Sequence, residues 1–259
     1  MFCLVKLFRP VTLLGVLLMS AASLSAAEPD PRVFEMRTYF AAPHKLDALH
    51  SRFRDHTTKL FEKHGMTNVG YWVPWDNPER KLIYLLAYPS REAREKSWQT
   101  FTADPDWKRA KEASEVDGKL VEKHEIKFLN ATDYSPEIKP SHDGQRVFEL
   151  RTYTTTPGNL DALNARFRDH TVALFKKHGM TNIGYWTLLP DQEGADNTLI
   201  YILAHRSPEA AKESFAAFGD DPAWKAARDA SEAKAGGSLT AEGGVKSLFM
   251  KATDYSAIR

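Results

Sequence analysis

Cysteine is all but missing from this chain. The only one, Cys3, lies at its start, so the rest has no disulfide, no thiolate ligand and no thiol nucleophile. Neither sign of charge dominates, with 35 Lys and Arg against 34 Asp and Glu. No field therefore draws the protein to nucleic acid or anionic lipid, and nucleic-acid binding is disfavoured. No apolar run reaches the roughly 20 residues that cross a bilayer. HExxH, a Cys/His cluster, a Gly-rich phosphate loop, a nucleophile elbow and kinase motifs are all missing, which removes support from hydrolase, nucleotide and structural-zinc readings. No metal site is expected.

What is present begins with a leader. Lys6 and Arg9 supply a basic region, Val11 to Met19 an apolar one, and Ser25-Ala26-Ala27 a small-residue cleavage site. That order predicts a signal peptide over residues 1–27, cleaved after Ala27. The expected product is exported, periplasmic or extracellular in a bacterium, and is not inserted in the membrane after cleavage. Cys3 leaves with the leader, as do Lys6 and Arg9, so 33 basic residues then face 34 acidic ones.

The rest is a duplication. Val33-Phe-Glu-Met-Arg-Thr-Tyr39 returns as Val147-Phe-Glu-Leu-Arg-Thr-Tyr153, and Arg52-Phe-Arg-Asp-His56 as Arg166-Phe-Arg-Asp-His170. His64-Gly-Met-Thr-Asn68 returns as His178-Gly-Met-Thr-Asn182, and Gly70-Tyr-Trp72 as Gly184-Tyr-Trp186, all 114 residues apart. Leu82-Ile-Tyr84 matches Leu199-Ile-Tyr201 at 117, and Ala131-Thr-Asp-Tyr-Ser135 matches Ala252-Thr-Asp-Tyr-Ser256 at 121. The second copy has thus gained residues twice, which the pattern assigns to surface loops, the later one around Gly236 and Gly243-Gly244. Two modules follow, 28–135 and 146–259, joined by a short polar linker at 136–145.

Within a module, Val33 to Tyr39 alternates apolar and polar residues and predicts a strand. Leu46, Leu49, Phe53, Thr57 and Leu60 recur at helical spacing, and His64-Gly65 suits a helix end. Asn68 to Val73 and Leu82 to Tyr88 read as a hairpin. A second helix starts at Ser90 and restarts at Asp104-Pro105, and its Trp107 is expected to fold into the core. Glu122 to Leu129 is the last strand, with His124, Ile126 and Phe128 on one face. The order β-α-β-β-α-β is the ferredoxin-like arrangement. The fold class is α+β: two tandem ferredoxin-like modules packed sheet to sheet, an α+β barrel made within one chain.

These blocks carry a resemblance. The Val33–Tyr39 strand, His64-Gly65-Met66, Gly70-Tyr-Trp72, Leu82-Ile-Tyr84 and Asp104-Pro-Asp-Trp107 resemble the NIPSNAP family, in both repeats and over nearly all of the chain after the leader. The resemblance implies the dimeric α+β barrel superfamily, which also holds cofactor-free monooxygenases, small-ring isomerases, dye-decolourising peroxidases and haem chlorite dismutases. The family itself is known mainly for partner and trafficking roles in mitochondria. The leader and the two copies depart from that pattern, so the mitochondrial role does not transfer.

Candidate ligand-binding residues are Glu35, Arg37, Tyr39 and Trp72 with Glu149, Arg151, Tyr153 and Trp186. If Phe34 and Met36 face the helices, the Glu, Arg and Tyr side chains face the space between the sheets. One reading pairs Glu35 with Arg151 and Glu149 with Arg37 in an ion-pair lattice; the other makes a polar pocket in which Arg grips an anion and Tyr donates a hydrogen bond. The Trp residues are core packing or a wall for a planar ligand. His56 and His170, expected on the buried edge of their helices, join Tyr39 and Tyr153 as catalytic candidates, with core packing as the plainer reading. His56 and His64 lie about 12 Å apart along a helix axis and cannot share a metal. No cofactor is expected, although a lone His can ligate haem and that option stays open. The sequence favours a binding or interaction protein, for a small anionic or aromatic ligand, a protein partner or another copy of itself. The alternative is a cofactor-independent monooxygenase or isomerase acting on a small aromatic or lactone-like substrate.

Overall fold

The structure, a computed structural model, describes residues 29–144 and 146–259. The expected signal peptide lies outside the described residues. Each module follows the expected order, with both helices in two pieces. Module 1 contains β1 (Val33–Ala41), α1 (Leu46–Arg52), a π-turn at Phe53–Thr57, α2 (Thr58–Lys63), β2 (Thr67–Pro74) and β3 (Lys81–Tyr88). It continues with α3 (Arg91–Ala103), α4 (Pro105–Ser114) and β4 (Val121–Ala131). Module 2 repeats this as β5 (Val147–Thr155), α5 (Leu160–Arg166), a π-turn at Phe167–Thr171, α6 (Val172–Lys177), β6 (Thr181–Leu188) and β7 (Thr198–His205). It ends with α7 (Pro208–Asp220), α8 (Pro222–Ala235) and β8 (Thr240–Ala252).

The strands form one closed antiparallel ring, β1-β3-β2-β8-β5-β7-β6-β4. Each module supplies a four-stranded sheet, and the modules join edge to edge where β2 meets β8 and β4 meets β6. Closure leaves no free strand edge among the described residues. The repeated Ala-Thr-Asp-Tyr-Ser segments are the clasps at these seams. After β4, Thr132 N–H donates to the Tyr185 carbonyl, Tyr185 N–H donates to Ser135 Oγ, and Asp133 accepts two bonds of 2.6 Å from Arg168. After β8, Thr253, Ser256 and Asp254 make the same contacts with Tyr71 and Arg54 of module 1.

The barrel interior is apolar. Phe34, Met36, Trp72, Ile83 and Leu85 meet Phe148, Trp186, Ile200, Ile202 and Met250 there. The indoles reach across the seam, Trp72 to Phe148 and Trp186 to Phe34, with ring centres 5.8 Å apart in both pairs. This packing explains the Gly-Tyr-Trp spacing. Positions two apart on a strand share a face, and a Cβ on Gly70 or Gly184 would collide with the Trp ring beside it. Ile138, within the stretch read as a polar linker, is buried in the same core. Gly243, assigned to a loop by the repeat, instead lies inside β8, where the pairing with β5 slips between Tyr153 and Thr155.

Outside the ring each module packs its helices on its own sheet, around Leu49, Phe53, Phe61, Tyr71 and Tyr84 in the first and Leu163, Phe167, Phe175, Tyr185 and Tyr201 in the second. The expected helix ends hold. Gly65 takes a left-handed φ of 77°, and His64 Nε2 lies 2.6 Å from Asp104, which also caps α4. His178 and Asp221 repeat the contact at 2.7 Å. Trp107 packs on Phe101 as expected, ring centres 4.5 Å apart.

His56 and His170 depart from expectation: both are exposed. The cause is the π-turn, in which the Thr58 N–H reaches back five residues to the Phe53 carbonyl. The wider turn carries His56 away from the sheet, while Thr57, on the expected buried stripe, stays there at 2% exposed. Thr57 and Thr171 donate to the carbonyls of Arg52 and Arg166, supplying bonds at the wide turn.

Candidate functional site

Glu35, Arg37 and Tyr39 alternate with Phe34 and Met36 as expected, but the faces are reversed. Phe34 and Met36 point into the barrel, and the polar trio points at the helices. No pairing of Glu35 with Arg151 or of Glu149 with Arg37 forms, because the two trios lie on separate outer faces. Trp72 and Trp186 sit on the opposite side of the sheet from them. An eight-stranded barrel is narrow enough for side chains to fill; apolar ones fill this one, and the polar faces are covered by helices instead. The eight candidate ligand-binding residues therefore divide into an interior Trp pair and two separate Glu-Arg-Tyr sites.

In module 1 the site is closed by its own side chains. The Glu35 carboxylate is fully buried and accepts from Arg94 Nε at 3.0 Å, Arg94 Nη2 at 2.9 Å, Tyr88 Oη at 2.9 Å and Trp98 Nε1 at 3.0 Å. Burial pushes the Glu35 carboxyl up, but the Arg94 bonds, the Arg37 and Arg94 charges and the Tyr88 hydroxyl outweigh it and hold it below its ordinary value. Arg37 lies 3.5 Å from Glu35 and stacks 4.0 Å over the Trp98 ring. Behind it, buried Arg52 donates to Glu115 at 2.8 Å and to Ser114.

Module 2 keeps the trio and changes its surroundings. Tyr88 becomes His205, Arg94 becomes Ala211, Trp98 becomes Phe215 and Ile126 becomes Ser247. Glu149 accepts from Arg151 Nη1 and Ser247 Oγ at 2.5 Å, and lies 2.9 Å from His205 Nε2. Burial again pushes this carboxyl up, and His205, Arg151 and Ser247 hold it low. Arg151 donates onward to the hydroxyls of Tyr201 and Tyr153.

The exchange of Arg94 and Trp98 for Ala211 and Phe215 goes with an opening. A cavity of about 290 Å³ lies between this sheet and its helices. Arg151, Tyr153, Phe167, Phe215 and Trp224 line it, and Arg166 reaches its wall. The Arg166 side chain is only 5% exposed, yet its contacts are long: 3.5 Å to Glu232 and 3.3 Å to Ser231, with Nε unpartnered. Burial pulls the guanidinium below its ordinary value, and Glu232 does not make up the difference.

Arg52, Arg166, Arg94 and His205 were not among the candidates. Arg52 and Arg166 open a repeated block one place before a core Phe, a position that the sequence offers as a buried charge. Nothing in the repeat flags Arg94 or His205, since both differ between the copies. Among the described residues no group of three or more His, Cys, Asp or Glu converges to hold a metal, and no helix is long and apolar enough to cross a membrane.

Solved structures share this architecture. A protein of Lactobacillus acidophilus classed provisionally as a monooxygenase superposes with a TM-score of 0.55 at 11% identity, over 86% of this chain and 94% of its own. An anthrone oxidase-like protein gives 0.53 at 17% identity, over 88% and 94%. At these identities the likeness is one of fold. A NIPSNAP domain protein of Burkholderia xenovorans, 21% identical with a TM-score of 0.36, covers 40% of this chain with 99% of its own. No curated protein matches the chain. The NIPSNAP family model matches twice, over residues 34–136 and 148–256, and the chain belongs to the NIPSNAP family.

Proposed function

We propose that this protein binds a small aromatic carboxylate, and that the module 2 pocket is where it does so. The observation that carries the reading is Arg166: a buried cation on a cavity wall, held only by long contacts, whereas Arg52, whose Nε is likewise unpartnered, has a 2.8 Å bond to Glu115. A planar guanidinium fork suits a carboxylate, and Phe167, Phe215, Trp224 and Tyr153 offer the ring faces. The volume is at the low end of ligand pockets, which sets the size at one or two fused rings. In module 1 the matching cation is bound to Glu115 and Trp98 takes the place of Phe215, so one site per chain is expected. The N-terminal residue order supports export of the mature form.

A second reading, a cofactor-independent oxygenase or isomerase in the same pocket, has the names of the two fold neighbours in its favour. The residues lining the pocket include Tyr153 and one carboxylate, Glu232, but no histidine. That carboxylate faces the Arg166 guanidinium at 3.5 Å, where it serves the cation rather than a proton transfer, which places binding first. The test is to recover the exported chain, read its N-terminus, and titrate it with 1-naphthoate. The mature protein should begin at Glu28 and bind one equivalent, and Arg166→Met should weaken binding at least about tenfold, which is 1.4 kcal/mol, with the fold kept. Equal loss in Arg52→Met would sink the assignment to module 2. Oxygen uptake with the bound probe would move the reading to catalysis.

A further inference from the structure

A wider groove lies elsewhere, at the seam between β2 and β8. It encloses about 820 Å³ and is lined by Trp75, Arg146, Arg206, Lys251 and Arg259, with His142 at its rim. Asp254 is the one acidic side chain in the lining, and Arg54 already holds it through two bonds of 2.6 and 2.8 Å. Arg206 and Lys251 have no carboxylate partner among the described residues, and the Arg259 guanidinium donates only to the main-chain carbonyl of Asp254, which leaves its charge without a counter-ion. In a chain whose charges nearly cancel overall, this is a local concentration of one sign.

The groove is built rather than incidental. Arg146, with its side chain 8% exposed, pairs with Asp143 and ties Ser141 and the Arg259 main-chain oxygen together, while its Nε has no partner. Trp75 is fixed by its backbone, whose N–H donates to the Phe249 carbonyl at 2.8 Å, yet the residue is 48% exposed. Lys251 Nζ sits 4.0 Å over that ring. The start of α7 is nearby, but Ser207 and Glu209 already occupy its first N–H groups, so the helix end is not the anchor.

The pseudo-twofold shows that the fold does not require this arrangement. At the opposite seam Leu189 makes the same backbone bond, to Phe128 at 2.9 Å. There Lys251 is matched by Asn130 and Arg206 by Pro89. The ring and two of the cations are thus present at one seam only. An exposed apolar face combined with unneutralised cations suits a ligand that has a ring and more than one negative charge.

We infer that this groove is a second ligand site, taking an aromatic dianion of the aryl phosphate class, its ring on Trp75 and its charge between Lys251, Arg206 and Arg259. The probe is 1-naphthyl phosphate, titrated against the exported full chain carrying Arg166→Met, so that the module 2 pocket does not contribute. Saturable binding is expected, falling with added salt. Trp75→Leu, which installs the residue of the other seam, should weaken it about fivefold. Lys251→Asn with Arg206→Ala should weaken it at least about tenfold. Unchanged affinity in both variants would overturn the site. So would inorganic phosphate competing as well as the naphthyl ester, since that describes an ionic patch that ignores the ring.

Discussion

The two modules begin from the same Glu-Arg-Tyr strand and arrive at different interiors. In module 1 the carboxylate of Glu35 collects four donors from three side chains, and Trp98 and Arg94 fill the space above it. In module 2 Ala211 and Phe215 leave that space open, and Glu149 is satisfied from the sheet side by His205 and Ser247. The difference teaches that the repeated residues are the common scaffold, and that the unrepeated ones decide between a plug and a pocket. A buried ion pair is poor evidence for net stability, but removing one partner is costly because the other is left buried.

The widest separation between the modules should come from deleting the carboxylates. Glu35→Ala strands Arg37 and Arg94 together and should cost about 3–5 kcal/mol. Glu149→Ala strands one guanidinium, Arg151, which keeps two tyrosine hydroxyls, with His205 and Ser247 losing a single bond each, and should cost about half as much. Urea unfolding of both variants measures this, and equal losses would break the comparison. A smaller effect is constructive. Arg94→Ala with Trp98→Phe gives module 1 the residues of module 2 and should open a second cavity, at a cost of about 1–3 kcal/mol. Calorimetry with 1-naphthoate should show weak binding there at best, because Arg52 remains committed to Glu115.

The smallest effect is acid sensitivity. Glu35 and Glu149 are both held below their ordinary value in the folded protein. Their contribution is therefore complete above the unfolded carboxylate value, about 4.3, and is lost as pH falls through the depressed folded values. Unfolding midpoints followed from pH 6 to pH 3 should drop less steeply in Glu35→Gln than in the wild type. An identical slope would mean that Glu35 does not contribute to acid unfolding.

The fold was legible because its signals are local and repeated. Alternation placed β1, Asp104-Pro105 placed the helix restart, and Gly65 placed the helix end. The site was only half legible. Alternation separates two faces of a strand but does not say which faces a neighbouring sheet, and in β3 and β7 both faces are apolar, so those strands could not settle it. The π-turn left the stripe through Phe53, Thr57 and Leu60 in place but turned out His56 at its edge, since the wider turn swings that position away from the sheet. Arg94, Trp98 and His205 come from elements distant in sequence from β1 and β5, and only packing brings them to the carboxylates.

The clasps at the seams have a further consequence. When such a ring is assembled from two separate chains, its integrity depends on concentration, and every substitution is made twice. Here Asp133 and Arg168 meet within one molecule, as do Asp254 and Arg54, so closure should survive dilution. A single change alters one half and leaves the other as it was. The covalent tether therefore releases the two halves from enforced symmetry, so that one can hold the ring together while the other is free to acquire a ligand.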